Sequence, residues 1–336
     1  MTATAWPDGP TIIVEDTREI SREEWLEHRR AGIGGSDVSA ICGLNPYKSA
    51  FATWLDKTGQ EMPEDNRNEQ AREWGHRLEA FVAERFEADH EALMVVDRPQ
   101  LLASAKTPWK LSNIDRQIFP IPGWAAHGTK PMALLECKTV GRWSVDKWDD
   151  GIPDPAMLQT MHYLDVTGCD EAYVAALLAG QDFRSERVER DDDLIAHLDV
   201  ILTDFWDRVI NLDPPDPDGS DATTDLLAHM WNVETGKVAD LTADVARVAE
   251  YIHEIEAARE TENAAKLRKA EAQNGLKVLL QDAEIGAVNG KPVVTWKTQV
   301  KRSFEARYQL APDPDDDGPF SSVGPRPLVI KKGHDL

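Results

Sequence analysis

The sequence predicts an α/β fold, with a mixed central sheet flanked by helices and a helical C-terminal extension. Three observations predict it. Helical and strand periods alternate through the first 210 residues, which is the pattern of a layered α/β architecture. Residues 132–140, Met-Ala-Leu-Leu-Glu-Cys-Lys-Thr-Val, are apolar on entry and β-branched on exit, as in a core strand. Residues 172–179 are apolar almost throughout, the composition of a strand buried on both faces.

Taken in order, Thr-Ile-Ile-Val at 11–14 reads as a short strand in an otherwise loose N-terminal arm. Ser21-Arg-Glu-Glu24 is a capping box, so a helix starts there and runs to about residue 31. A glycine-rich turn, Gly32-Ile-Gly34-Gly35-Ser36-Asp37, feeds a short helix over 38–43, and Ser49 caps another that ends at Gly59. A longer helix covers 68–88, where Trp74, Leu78, Phe81, Val82 and Phe86 recur at spacings of three and four, with Glu79 beside that stripe. Strand-like runs at 92–97, 100–104, 111–119 and 132–140 read as one meander. Residues 155–167 read as a helix with Met157, Met161 and Leu164 on one face and Gln159 and Tyr163 on an adjacent one. Strands at 172–179 and 183–188 then lead into a helix over 191–210.

Residues 211–225 break the periodicity with Pro214, Pro215, Pro217 and Gly219 among five aspartates, and read as a linker. The expected domains are a core over 1–210, an acidic Pro-rich linker over 211–225 and an extension over 226–336. Within the extension, 241–280 is a long charged helix or helix pair, and Asn289-Gly290 marks a hairpin turn ahead of a strand at 292–297. A second acidic loop surrounds Asp313–Asp317, and 326–332 adds a candidate edge strand.

The formal charge of −23 over 336 residues argues, taken as a whole, against a nucleic-acid partner. The acid is unevenly placed, however: nine aspartates crowd the two linker-like stretches, and between Lys106 and Lys147 seven cations face three acids. The region that holds the charged core strand is therefore locally basic. Cys42, Cys137 and Cys169 are too widely spaced for a disulfide framework or a Cys-x-x-Cys metal pair. Cys137 projects away from Glu136 and reads as a packed thiol. No apolar run approaches the ~20 residues of a membrane span and no signal peptide opens the chain, so a cytoplasmic protein with no membrane partner is expected.

The chemistry centres on 132–140. Side chains alternate along a strand, so Glu136 and Lys138 project to the same side. A carboxylate and an ammonium leaving a core strand together are costly to bury without close pairing or a chemical task. Pairing of 111–119 with this strand brings Asp115 beside Glu136. Two carboxylates and a lysine at one point make a divalent-metal site with a cation next to it, which suggests phosphodiester hydrolysis; a surface strand with a cross-strand ion pair would carry the same residues. Glu79 is either a solvated rim residue or a third acid. The turn at 32–37 offers free backbone N–H groups and the Ser36 hydroxyl, with Arg29 and Arg30 just ahead. It reads either as an anion pocket or as an ordinary connection between helices.

The blocks Arg30-Ala-Gly-Ile-Gly-Gly-Ser-Asp-Val-Ser-Ala-Ile-Cys-Gly-Leu-Asn-Pro-Tyr-Lys-Ser49, Trp74-Gly-His-Arg-Leu-Glu79, Asp115, Glu136-Cys-Lys138 and Gln159-Thr-Met-His-Tyr163 resemble, in that order, the YqaJ viral recombinase family. These are phage-type relatives of lambda exonuclease among the PD-(D/E)XK nucleases, so the resemblance implies a restriction-endonuclease-like core. It spans roughly residues 20–210; the Gly-Ile-Gly-Gly-Ser-Asp block is its most specific part and Glu-x-Lys its least. It implies Glu79, Asp115 and Glu136 as ligands of Mg²⁺ or Mn²⁺, Lys138 serving the attacking water, and Gln159 supporting the site from the following helix. At the first strand acid the family usually shows Ser-Pro-Asp-Gly, whereas Ser112-Asn-Ile-Asp115-Arg116 has one residue more before the acid and no glycine. Lambda exonuclease places an arginine and a serine at the 5′-terminal phosphate, which implies Arg29 or Arg30 with Ser36.

The activity so implied is Mg²⁺-dependent exonuclease digestion, 5′→3′ from double-stranded DNA ends, in phage-type homologous recombination. A single-strand annealing protein as partner, a homotrimer as assembly and the cytoplasm of a bacterial host as location come with it. An endonuclease of the same fold, or a non-catalytic DNA-end or partner-binding module built on the 241–280 helix, are the alternatives; the intact Asp115, Glu136 and Lys138 set disfavours the second.

Overall fold

A computed structural model of the chain describes residues 4–60, 69–121, 128–230, 235–297, 299–302, 321–324 and 328–330. It divides into two units, Met1–Glu234 and Thr235–Leu336.

The first unit opens with β1 (Thr11–Val14) and four helices, α1 (Arg22–Arg30), α2 (Gly35–Ile41), α3 (Ala50–Lys57) and α4 (Glu69–Asp89). Strands β2 (Leu93–Val96), β3 (Leu101–Ala103), β4 (Leu111–Asn113), β5 (Arg116–Pro120) and β6 (Ala133–Val140) follow. Then come α5 (Asp154–Thr167), β7 (Glu171–Leu178), β8 (Asp182–Glu189), α6 (Asp192–Asn211) and α7 (Asp221–Met230). Local chemistry accounts for the boundaries. Ser21 and Glu24 form the reciprocal capping box of α1, Ser49 caps α3 through the Ala52 N–H, and α5 stops at Gly168 with φ of 68°.

The central sheet has the order β2-β5-β6-β7-β8. Its one parallel pair is β6–β7, and α5 is the crossover that a parallel pair requires. Alternate residues of β6 and β7 enter two separate cores. Leu134, Ala172 and Val174 join Leu158, Met161 and Leu164 of α5 on one face. Ala133, Leu135 and Ala175 join Val82, Ala83 and Phe86 of α4 on the other. Burial on both faces explains the unbroken apolar run of β7.

Two features differ from the sequence reading. The strands between 92 and 140 are not one meander: β3 and β4 leave to form a second sheet with β1, in the order β1-β3-β4. The run 111–119 is therefore two strands in two sheets, broken at Ile114 and Asp115. On α4, Trp74 and Phe81 are 59% and 62% exposed, and Val82, Ala83 and Phe86 carry the contact with the sheet. Two overlapping stripes satisfy the apolar spacing there, and the one built on small Ala83 packs closer.

The first unit continues past 211–225, the segment read as a linker. Helix α7 returns Leu226 and Met230 to the main core, and Thr223 is buried. In the second unit, α8 (Val245–Leu280) precedes β9 (Ile285–Val288) and β10 (Lys291–Trp296). They form a hairpin whose turn holds Asn289 and Gly290 at φ of 50° and 78°. The strands β11 (Gln299–Arg302) and β12 (Ser321–Gly324) pair with each other, and β13 (Leu328–Ile330) adds to the edge of β10, where the sequence placed an edge strand. The acidic loop at 313–317 lies outside the described residues.

The three helices ahead of α4 are tied by a buried charge. Asp37 is 1% exposed and takes Lys57 at 2.7 Å, Arg29 at 3.0 Å and Lys48 at 3.4 Å, while the Gly34 N–H donates to it at 3.1 Å. Burial alone would raise its pKa, but the three cations outweigh burial and hold the carboxyl far below the usual range. Removing one partner of a buried ion pair strands the other, here Lys57, whose side chain is fully buried. Asp37→Ala is expected to cost about 3–5 kcal/mol in urea unfolding at neutral pH. Since the folded carboxyl titrates below its unfolded value of ~3.9, its contribution is complete above that pH and is lost only as pH falls through the depressed folded value. The stability gap between wild type and variant should stay constant from about pH 8 to 5 and shrink in stronger acid; a gap that widens on acidification would contradict this. In limited proteolysis, the stable fragment of the first unit should retain α7, since cutting ahead of it exposes the surface covered by Leu226 and Met230.

Candidate active site

Asp115 stands at the break between β4 and β5. The β5–β6 register sets Arg116 opposite Leu135, so one step on brings Asp115 to Glu136. Its carboxylate accepts the Cys137 N–H at 2.7 Å. The extra residue between Ser112 and Asp115 is thus absorbed at the strand break and leaves the acid at β6.

The parity of β6 sends Glu136 and Lys138 toward α5, and Cys137 toward α4 as a packed thiol. Lys138 Nζ lies 2.5 Å from Glu136 Oε1. Gln159, on α5, joins the two: its Nε2 donates to Glu136 Oε1 at 2.7 Å, and its Oε1 accepts from Lys138 Nζ at 2.9 Å. The same Nε2 donates to the Tyr163 hydroxyl one turn on, at 3.0 Å. Burial, then Glu136 and Asp115, push the Tyr163 phenol well above its ordinary range, so it stays a neutral hydroxyl. Burial works against the Lys138 ammonium, but Glu136 and Asp115 overcome it and raise its pKa.

The carboxylates fit a cation. Glu136 is 4% exposed, and its Oε2 is buried with no hydrogen-bond partner. A buried carboxylate oxygen left without a partner is costly. Burial, then Glu136 and Glu79, push Asp115 well above the usual carboxylate range, against the pull of Lys138 and the Cys137 N–H. A hard cation held by Asp115 and Glu136 would relieve both strains. Glu79 comes from α4, on the other side of the sheet, and its carboxylate is engaged by Arg116 at 2.5 Å. Among the described residues no three His, Cys, Asp or Glu side chains are set as a ready cage. Asp115 lies beside Glu136 of β6, and Glu79 is held by Arg116.

The glycine-rich turn lies against this centre. Ile33 exchanges backbone bonds with Trp109 and Leu111 at 2.7 and 2.8 Å. A Cβ on Gly32 would meet the Trp109 carbonyl at 2.3 Å; one on Gly35 would meet the Tyr163 ring at 2.4 Å and Gln159 at 2.9 Å. Only glycine allows α2 to sit on the residues that hold Glu136. Arg29 reaches Ser36 Oγ at 3.2 Å and Asp37, whereas Arg30 points to Asp56 at 3.8 Å. Arg29 and Ser36 are together; Arg30 is not with them.

Asp37, Lys48 and Lys57 were not singled out in the sequence, and the only trace was an aspartate three residues into a capping turn. The Arg116–Glu79 pair also escaped notice, because the two are 37 positions apart. A cavity of about 530 Å³ lies elsewhere, lined by Lys106, Lys110, Asp165, Arg190 and Asp199. Its buried Lys110 is already paired with Asp165 and Asp199, so the cavity adds nothing to the centre. Among the described residues no helix is long and apolar enough to cross a membrane.

Residues 24–170 match the model of the YqaJ-like viral recombinase domain. That interval contains every residue named above from Arg29 to Gln159. The chain is 36% identical over 309 residues to the protein YqaJ of Bacillus subtilis (strain 168), covering 90% of this chain and 92% of that one. Over 85 residues it is 31% identical to protein D345L of African swine fever virus (isolate Tick/Malawi/Lil 20-1/1983), a quarter of this chain and 24% of that one. Among solved structures, an alkaline exonuclease (LHK-Exo) of Laribacter hongkongensis aligns with a TM-score of 0.45 at 17% identity, over 57% of this chain and 94% of that one. On the identity to YqaJ along nine-tenths of both chains, with the domain match across the site, this chain belongs to the YqaJ-like viral recombinase family.

Proposed function

We propose that the protein is a divalent-metal-dependent DNA exonuclease, Mg²⁺ being the preferred ion and Mn²⁺ a substitute, that digests linear duplex 5′→3′ in phage-type recombination. The observation that carries this reading is the buried Glu136 carboxylate, one oxygen held by Lys138 and Gln159 and the other unpartnered beside Asp115. Membership of the recombinase family, whose domain match spans all of these residues, supports it. The single strand left behind is the substrate of an annealing protein, the partner we assign, and a ring of three copies is the assembly by resemblance to lambda exonuclease.

Asp115 and Glu136 would hold the ion, with Glu79 next to them. When bound, it supplies Lewis acidity toward the scissile phosphate. The remaining work falls to the chain. Lys138 keeps its proton and sets a fixed positive charge where charge develops on the phosphate. Gln159 fixes both Glu136 and Lys138 by one amide, and Tyr163 fixes Gln159. Arg29, with Ser36, would take the anion that marks a 5′ end; Arg29 is held beside Ser36 and by Asp37.

Asp115→Ala, Glu136→Ala and Lys138→Ala are each expected to lower cleavage by at least about 10²-fold, with circular dichroism unchanged. Gln159→Leu, which acts through its neighbours, should lose about 10–100-fold. Near wild-type Mg²⁺-dependent activity in any folded variant removes that residue from the centre. Digestion of linear but not circular plasmid identifies an exonuclease; loss of both forms identifies an endonuclease, and loss of neither a binding module. Ca²⁺ should support DNA binding in gel shift but poor cleavage, because its larger, looser coordination misplaces the reacting groups.

For the 5′ end, linear duplex with 5′-phosphate should be digested faster than duplex with 5′-hydroxyl ends. Arg29→Ala should abolish that preference, whereas Arg30→Ala, whose side chain points to Asp56, should retain it. Equal rates on both ends in the wild type would remove the phosphate role from Arg29 and Ser36.

A further inference from the structure

Helix α8 is a 36-residue helix whose side chains stand in solvent along most of its length. A helix of about 54 Å with large apolar side chains exposed lacks the tertiary packing that normally stabilises helices. Tyr251, Ile255 and Leu279 are 50%, 51% and 82% exposed. They belong to one stripe. In the N-terminal half Val248, Tyr251, Ile255 and Ala258 follow at steps of three and four, and the rhythm continues through Ala265, Ala272, Leu276 and Leu279. The two interruptions in that seam are Glu262 and Lys269. This is the heptad spacing of a two-stranded coiled coil.

Charge selects the partner. Residues 245–262 carry five glutamates against two arginines, and residues 263–280 carry four cations against one glutamate. A parallel pair would stack Glu262 on Glu262 and the acidic half on itself. An antiparallel pair sets the acidic half on the basic half. With the seam in register, Val248 then lies opposite Leu279 of the second copy, Tyr251 opposite Leu276, and Ile255 opposite Ala272. Glu262 falls opposite Ala265, within a turn of the second copy's Arg268 and Lys269. Lys269 falls opposite Ala258, within a turn of the second copy's Glu256 and Glu260. Apolar residues meet apolar ones, and each seam charge has opposite charge within reach. A contact strip about 10 Å wide and 50 Å long on each helix buries about 1,000 Å² in total, the lower bound of a specific interface.

We propose that α8 is a self-association element that pairs antiparallel with α8 of a second copy of this chain; such a pair is twofold and cannot close among three copies, so it joins copies of different rings rather than neighbours within one ring of three. This does not depend on the nuclease reading, since none of the site residues lies in the second unit.

The test uses the full-length protein with single cysteines in the seam and a short bismaleimide, analysed on a denaturing gel. The wild type, with Cys42, Cys137 and Cys169, sets the background. Ala265→Cys lies near the centre of an antiparallel pair and should be converted to a species of doubled mass. Val248→Cys, about 45 Å from its own copy in that arrangement, should give no more than background. Doubled mass at both positions means a parallel pair and overturns the proposal, as does background at both. Light scattering on Ile255→Asp, with helix content checked by circular dichroism, should show loss of the paired species; an unchanged mass with the helix intact would also overturn it.

Discussion

The structure turns on the two-sided burial of β6. Over Ala133–Glu136 this strand is buried between helices on both faces, so each residue there must answer to one core or the other. Ala133, Leu135 and Cys137 satisfy the α4 side, and Leu134 satisfies the α5 side. Glu136 and Lys138 fall on the α5 side too, where charge is expensive. The chain meets that expense with a mutual ion pair and with Gln159 of α5, leaving one Glu136 oxygen unsatisfied. An incomplete ion pair, beside a second carboxylate whose pKa burial and its neighbours drive upward, is what the proposed metal role asks of Glu136.

The crossover helix α5 therefore has two tasks. Its apolar side closes the main core, and Gln159 and Tyr163 close the site. Because the glycine turn packs directly on these two residues, the position of Arg29 and Ser36 is linked to that of Glu136 through side chains in contact. The Asp37 knot keeps the turn from relaxing away, by joining α1, α2 and α3 at one buried carboxylate. Motifs that lie a hundred residues apart in sequence are one packed body around α5.

Much of this was legible in the sequence. Strand parity placed Glu136 and Lys138 on one side, the capping box and Ser49 marked helix starts, and Asn289-Gly290 marked the hairpin. These are local rules, with local causes. Long-range choices were not legible. Nothing in residues 111–119 says that the run changes sheets at Asp115, because both halves have strand composition. Two stripes of α4 shared the same periodicity, and only the size of Ala83 against the sheet selects between them. The Asp37 knot joins residues up to 20 positions apart through charge alone, where composition carries no register. The return of α7 to the core was hidden by the prolines ahead of it, which announce a turn but not where the chain goes next.

Net charge was the least informative quantity, and the reason is one of length scale. At physiological ionic strength exposed charges separated by more than about 8 Å are largely screened, whereas buried ones are not. The aspartates of 211–225 and 313–317 contribute heavily to the sum of −23, yet they lie far in sequence from the residues of the site. Lys138 and Lys57 act at short range from inside the protein, and their fields are set by the partners that touch them. The overall negative charge slows the encounter with a polyanion without deciding what happens at contact. A strongly acidic chain therefore does not by itself argue against a phosphodiester substrate when cations stand beside the acids of the site. The same separation of scales applies to α8, whose six cations and six glutamates cancel in total but are segregated by half, so that its pattern rather than its sum carries the information.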